Sequence, residues 1–314
     1  MRQILVIRGG AIGDFIVTLP VFAALRTAYP EARLEVVAHP PTAAIALATG
    51  LVDRIQALES RALAHFFSEV GELDTGWAKY FGGFDLIVTY LFDPAGHFHR
   101  NLRRSSAAQI ITGPHRPSEP SDFHASLQLL RPLEALLPID PRRLADLRFP
   151  ESSSSHPTAP NIVIHPGSGS PKKNWPWERW HTLLDRLVAE TDWHFTLLAG
   201  EAEGWQVDRL HSLLPVHRVS FYRNLPLPEI AVFLRSARLF LGHDSGITHL
   251  SAACGTTTLA LWGPTDRTVW QPRGSRVHLL YDPSGLDQLS VSAVAEMAKT
   301  LVAENGCPST LRIR

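Results

Sequence analysis

Short apolar runs of strand length alternate along the chain with longer stretches whose apolar positions recur every three to four residues. Ile4–Ile7 reads as a strand buried on both faces, and Phe15–Tyr29 as an amphipathic helix. Leu34–Ala38 and Asp85–Tyr90 read as further strands, separated by a more irregular stretch. Glu151–Pro160 (ESSSSHPTAP) has no apolar periodicity and reads as a linker. Beyond it the alternation restarts with a strand at Ile162–His165, a helix opened by Pro176 that runs to Ala189, and a strand at Phe195–Ala199. A helix near Asp208, a strand at Val219, a helix over Pro228–Ser236 and a strand at Leu239–Gly242 follow. Ile247–Cys254 is then helical, the next apolar run is a strand ending in a Gly-Pro loop, and Ser292–Glu304 is a closing helix. The pattern predicts an α/β protein of two Rossmann-like halves facing across a cleft: residues 1–150, a linker at 151–160, and residues 161–314. No repeat of solenoid period is present.

Composition narrows the class. With 314 residues, 45% hydrophobic and 19% charged, the chain is globular and long enough for two domains. Thirty basic residues balance thirty acidic ones, so bulk charge gives no sign of a nucleic-acid partner. The two cysteines, Cys254 and Cys307, fit neither a metal spacing nor a disulfide framework, which points to a reducing cytoplasm. The first residues do not read as a signal peptide, and no apolar run approaches the length of about 20 residues that a membrane span needs.

Candidate chemistry concentrates in the second half. In GHDSGITHL, Asp244 and Ser245 are N-cap residue types, Gly246 permits close backbone approach, and His249 lies four positions after Ser245 on the same helical face. The free N–H groups of such a first turn suit a phosphate or diphosphate, although a capped core helix with one satisfied histidine has the same sequence signature. In IVIHPGSGSPKKNWP, Gly167, Ser168, Gly169 and Ser170 form a small-residue turn, and Lys172 and Lys173 bring cations to it. The chain has only four lysines, Lys79, Lys172, Lys173 and Lys299, so a lysine pair here stands out from the arginine-rich background. The same lysines could also sit on an ordinary solvated loop.

The first half offers two features. RGGAIGD at Arg8–Asp14 puts glycines between a strand and a helix, but without the GxGxxG spacing, and no acidic residue follows the second strand. Gly9, Gly10 and Gly13 better suit a close-approach loop that presents Asp14 at the C-terminal sheet edge, either as a general base or as the N-cap of a helix starting at Phe15. GHFHRNLRRS holds His97, His99, Arg100, Arg103 and Arg104, with His115 and Arg116 further on. If Asn101–Ala107 is helical, Arg100 and Arg104 share a face that suits an anionic acceptor or lipid head groups, and equally suits plain solvation. His97 and His99 lack an acidic or cysteine partner for a metal, and no Asp-x-Asp pair sits in a predicted loop.

Several separated motifs in one order resemble a known family. ILVIRGGAIGDFIVTLPVFAALRTAYP, FDLIVTYLFD, IHPGSGSPKKNWPWERW, LLAGEAEG and GHDSGITHLSAACGTTTLALWGPTD are similar to stretches of glycosyltransferase family 9, the metal-independent, GT-B-fold group that includes the lipopolysaccharide heptosyltransferases. The resemblance covers most of the chain, Leu51–Phe84 excepted. It implies that the first half takes the acceptor and the second the sugar nucleotide. It matches Asp14 to the family's catalytic base, Lys173 to a lysine on the donor phosphates, and Asp244 with His249 to the donor-site motif. Glu203 matches an acidic residue at the nucleoside, with Glu201 two positions away and a gap in the alignment.

The implied reaction is transfer of a sugar from a nucleoside diphosphate donor, with inversion in a single displacement and no metal or other cofactor. Ser168, Ser245 and Gly246 then join Lys173, Asp244 and His249 around the donor phosphates, while Gly13, Arg100, Arg103 and Arg104 face the acceptor. By family frequency the donor is ADP-heptose, and the expected acceptor is a lipopolysaccharide or other cell-surface glycan, an anionic glycan or glycolipid. The expectation is a cytoplasmic monomer, with peripheral contact at the inner membrane and closure of its two halves on the substrate. Two other outcomes share the architecture: a nucleotide-sugar epimerase, and a non-catalytic sugar-nucleotide-binding protein.

Overall fold

A computed structural model describes residues 1–139, 161–200 and 204–304. The chain divides into two compact units, Met1–Ala145 with Thr268–Trp270, and Asp146–Arg267 with Gln271–Arg314. The expected linker at 151–160 and Glu203 lie outside the described residues.

The first unit runs β1 (Gln3–Ile7), α1 (Ile12–Ile16), α2 (Leu19–Ala28), β2 (Arg33–Ala38), α3 (Pro40–Ala48), β3 (Arg54–Ala57), α4 (Thr75–Phe81), β4 (Leu86–Thr89), α5 (His97–Ser105), β5 (Gln109–Thr112) and α6 (Ala125–Leu130). Its parallel sheet has the order β3-β2-β1-β4-β5. Helices cover such a sheet on both faces, so β1 and β4 are continuous apolar runs rather than alternating ones. Leu5, Ile7 and Ile87 pack with Phe66, Phe81 and Phe98 in one buried cluster.

The expected single helix over Phe15–Tyr29 is two helices. The first starts early, at Ile12, and stops at Ile16, because Pro20 has no N–H to give to the Ile16 carbonyl. The Thr18 N–H instead donates to the Phe15 carbonyl, and the Thr18 hydroxyl donates to the Asp14 carbonyl at 2.7 Å. The basic helix likewise begins at His97, not Asn101, since the Asp93 carboxylate accepts the N–H groups of Phe98 and His99 at 3.2 and 2.9 Å.

The second unit runs β6 (Asn161–His165), α7 (Trp177–Glu190), β7 (His194–Ala199), α8 (Gly204–Leu213), β8 (Val219–Arg223), α9 (Leu227–Ser236), β9 (Leu239–His243), α10 (Gly246–Ala253), β10 (Thr258–Trp262), β11 (Val277–Tyr281) and α12 (Val291–Glu304), while α11 (Arg267–Trp270), between β10 and β11 in the chain, is counted from Thr268 on with the first unit. Its parallel sheet has the order β8-β7-β6-β9-β10-β11. Counted from the start of the unit this is 3-2-1-4-5-6, the doubly wound order whose direction of winding reverses between the first and fourth strands. Trp175, Trp180, Leu183 and Leu187 pack with Ala298 and Leu301 of α12 in the unit's core. Among the described residues no helix is long and apolar enough to cross a membrane.

One close approach in the first unit sets a testable constraint. Gly113 follows β5, and a β-carbon there would overlap the ring of Tyr90, which is buried and donates its hydroxyl to the Leu129 carbonyl at 2.7 Å. Gly113→Ala is expected to destabilise the protein by about 1–3 kcal/mol, the usual cost of overpacking. The urea midpoint should fall without a change in the slope of the transition; an unchanged midpoint would mean that the ring moves aside freely.

Candidate active site

In an open parallel sheet, ligands bind beyond the C-terminal strand ends where the winding reverses, because the loops there diverge and leave a crevice. In the second unit that point lies between β6 and β9, which pair with Ile164 beside Leu241 and His165 beside Gly242. The two phosphate-type loops picked out in the sequence leave these two strands, so the fold makes neighbours of segments some 70 positions apart.

Lys173 closes a short 3-10 turn, Pro171–Lys173, and its Nζ lies 2.6 Å from Asp244 Oδ2. The lysine remains partly open to solvent while the carboxylate is buried. Ser245, not Asp244, is the N-cap of α10: its hydroxyl accepts the Thr248 N–H at 3.3 Å. Gly246 and Ile247 then hold the first two helical positions, where N–H groups have no intrahelical acceptor. His249 is buried one turn further on. Ser168 is also buried, and its Oγ is turned into its own loop, 2.7 Å from Asn174 Oδ1 and 2.8 Å from the Ser170 carbonyl. That hydroxyl braces the turn that carries Lys173.

A residue not singled out in the sequence ties the two loops together. His243, the last residue of β9, is fully buried, and its Nε2 accepts the Trp175 N–H at 2.9 Å. Its ring also packs edge-on against Trp180 with centroids 5.4 Å apart. Burial pushes the His243 pKa down to about 3, helped by the charge of His165, while a hydrogen bond to the Gly167 backbone opposes the shift. The imidazole is thus neutral, with Nε2 free to accept, and it fixes the turn carrying Lys173 against the strand that leads into Asp244. The available signal was a histidine ending each of two apolar runs, IVIH and LFLGH.

In the first unit the corresponding reversal lies between β1 and β4. The segment after β1 turns through Gly10 at φ +103°, where a β-carbon would also sit 2.7 Å from Asp14 Oδ2, so both backbone and space demand glycine. Asp14 is neither a loop residue nor an N-cap. It occupies the third position of α1, after Gly13, and its Oδ2 accepts the N–H of Ala11 at 2.9 Å. The helix begins before Phe15 because this carboxylate satisfies an N-terminal donor. About a third of the Asp14 side chain is exposed. Arg8, which ends the apolar strand and also escaped notice, is buried with its guanidinium 3.6 Å from the Asp14 carboxylate. Arg8 donates to the carbonyl of His115 at 2.7 Å and to that of Asp14 at 3.3 Å. Burial lowers the Arg8 pKa, and the Asp14 charge works against that shift.

Arg100, Arg103 and Arg104 are exposed on α5, held respectively to the Ala95 carbonyl, to His99 Nε2 and to Asn101 Oδ1, each at 3.0 Å. Among the described residues no group of three or more His, Cys, Asp or Glu is placed to hold a metal ion.

The profile of glycosyltransferase family 9 (heptosyltransferase) matches residues 132–287. The chain is 23% identical to lipopolysaccharide heptosyltransferase 3 of Escherichia coli, over 83% of each chain. The fold superposes on a glycosyl transferase family 9 protein from Veillonella parvula with a TM-score of 0.78 at 18% identity, covering 96% of this chain and 97% of that one. It superposes equally, at 15% identity, on the E. coli ADP-heptose lipopolysaccharide heptosyltransferase II, covering 98% and 100% of the two chains. The doubly wound sheets, the paired loops at the point of reversal and these likenesses together support a glycosyltransferase similar to the heptosyltransferases of family 9, with the GT-B fold.

Proposed function

We propose that this glycosyltransferase moves a heptose from ADP-heptose to an anionic, lipopolysaccharide-type acceptor, with inversion at the anomeric carbon and without a metal ion. The observation that carries the reading is the Lys173–Asp244 pair at the N-terminus of α10, where two loops meet at the sheet's point of reversal. An ammonium group has three protons to donate, so its ion pair with Asp244 still leaves protons for phosphate oxygens. Asp244 holds the lysine in place, and the N–H groups of Gly246 and Ile247 with the helix dipole add positive potential for the departing diphosphate. His249 lines the same turn, Ser168 shapes its neighbour, and Glu203 is assigned to the nucleoside by resemblance.

In the first unit Asp14 takes the proton of the acceptor hydroxyl as its oxygen attacks the anomeric carbon and the bond to the diphosphate breaks. Gly13 keeps the approach to that carboxylate open, and Arg100, Arg103 and Arg104 meet acceptor phosphates. The same arginines suit the head groups of a membrane's cytoplasmic face, where the protein would work as a peripheral monomer.

The test is to incubate the protein with ADP-heptose, with and without heptose-deficient lipopolysaccharide, in the presence of a chelator. Release of ADP only when the acceptor is present, with an inverted linkage in the product, is the expected result. Turnover of donor alone would indicate an epimerase, and activity abolished by the chelator would remove the metal-free reading. Lys173→Ala should weaken ADP binding by roughly 10- to 100-fold in calorimetry, the scale of a lost charge-assisted bond; equal affinity would dismiss Lys173 from the phosphates.

A further inference from the structure

The apolar run of β4 continues past Thr89 as Tyr90, Leu91, Phe92 and Asp93, and three of these four side chains have a structural use. Tyr90 is buried, Leu91 packs against the aromatic cluster of the first unit, and the Asp93 carboxylate accepts the N–H groups that open α5. Phe92 is the exception, 63% exposed between two anchored neighbours. A loop tip often exposes a ring because its backbone is loose. Here Leu91 and Asp93 hold the backbone on both sides, so the fold presents the ring in a set position.

The ring meets His115, from the segment after β5, with centroids 4.7 Å apart and planes at 58°. His115 is exposed as well, and it is fixed through its backbone: its carbonyl accepts a bond from Arg8 at 2.7 Å. The same buried arginine lies 3.6 Å from the Asp14 carboxylate. One guanidinium therefore anchors both the candidate base and one member of the ring pair. All of these groups follow the C-terminal ends of β1, β4 and β5, around the point where the first sheet reverses its winding.

Such a pair suits a carbohydrate. A pyranose carries hydroxyls around its edge and a face of C–H groups, and the negative face of an aromatic ring attracts C–H groups. Rings supply the apolar contact in a small-molecule site, while a few polar groups fix orientation. A protein interface of ordinary size asks for about 800 Å² from each partner, far more than one phenyl and one imidazole offer.

We propose that Phe92 and His115 form the platform on which a sugar ring of the acceptor stacks, with its attacking hydroxyl turned toward Asp14. The proposal rests on the reading that the first unit takes the acceptor. It makes Phe92 a specificity-determining residue, because an acceptor whose stacked face carries a bulky substituent would collide with the ring.

The experiment compares the full chain with Phe92→Ala and Phe92→Trp. Transfer from ADP-heptose to heptose-deficient lipopolysaccharide is measured for each, and the deacylated oligosaccharide of that acceptor is titrated into each by calorimetry with ADP present. We expect Phe92→Ala to raise the acceptor KM about tenfold or more, the scale of a truncated aromatic anchor, and to weaken oligosaccharide binding by the same factor. Any change in kcat should be smaller, and Phe92→Trp should recover most of both losses. Removing an exposed ring should leave the thermal midpoint in place. If the unaltered chain binds the oligosaccharide but transfers nothing to it, the transfer reading fails, while loss of that binding in Phe92→Ala still upholds the platform. No binding by the unaltered chain, or binding that Phe92→Ala keeps in full, would overturn the proposal. So would a loss seen only with the acylated acceptor, which would put a lipid chain on the ring, or a dimer in sedimentation that Phe92→Ala dissolves, which would put a second copy there.

Discussion

Asp14→Asn is expected to lower sugar transfer by about a hundredfold or more, the scale of lost general-base help, while leaving ADP affinity unchanged. The substitution isolates proton transfer from structure. An Asn side-chain oxygen still accepts the Ala11 N–H that begins α1, and the Thr18 hydroxyl still donates to the residue-14 carbonyl, so the first turn keeps its bonds. What changes is the charge beside Arg8, a buried guanidinium whose acceptors among the described residues would then be the carbonyls of His115 and of residue 14 itself. A small loss of thermal stability should therefore accompany the loss of activity. The discriminating measurement is acceptor-dependent ADP release at saturating donor. Turnover equal to the unaltered enzyme would show that another group takes the proton, whereas a fall in ADP affinity equal to the fall in rate would point to general damage.

Acid should unfold the second unit through His243. Its folded pKa, about 3, lies below the ordinary histidine value of 6.5, so the unfolded chain binds a proton that the folded chain refuses. Stability supplied by this group is therefore complete above about pH 6.5 and drains away on acidification toward about pH 3, at about 1.4 kcal/mol per pH unit. Between about pH 6.5 and pH 4.5 that amounts to roughly 2–3 kcal/mol, a large share of a typical domain's stability. The pKa of His194 is also lowered, by burial and by Arg218, and acts in the same direction, so the unaltered protein alone does not isolate the contribution. His243→Gln can keep an acceptor for the Trp175 N–H while removing the titration. Its unfolding free energy, measured by urea titration across this range, should fall less steeply with acid than that of the unaltered chain. Parallel curves would remove His243 as the cause.

The alternation of apolar runs with helical periodicity was enough to read two α/β halves, because parallel strands covered on both faces carry an unbroken apolar signature. Ile4–Ile7 and Leu239–Gly242 are of this kind. Less legible were β3 and β5, whose residues Arg54–Ala57 and Gln109–Thr112 are only partly covered and carry polar side chains. The break between α1 and α2 was hidden by apolar periodicity that continues across Pro20. At the site, residue types named Asp14, Lys173, Asp244 and Ser245, but the pairing of Lys173 with Asp244 depends on strand order, which no local pattern contains. Arg8 and His243 were missed for a related reason: a charged or polar residue ending an apolar run reads as a boundary until the partner that justifies its burial is known.

In both sheets the strand that launches the key turn, β1 or β6, has a hydrogen-bonded neighbour on either side. Interior strands open least often, and rims open first. Drift in length or composition at β3, β5, β8 or β11 can thus accumulate without altering the spacing of the reactive groups, which gives lineages of this architecture room to remodel their outer loops for new substrates while the anchorage of the chemistry stays fixed.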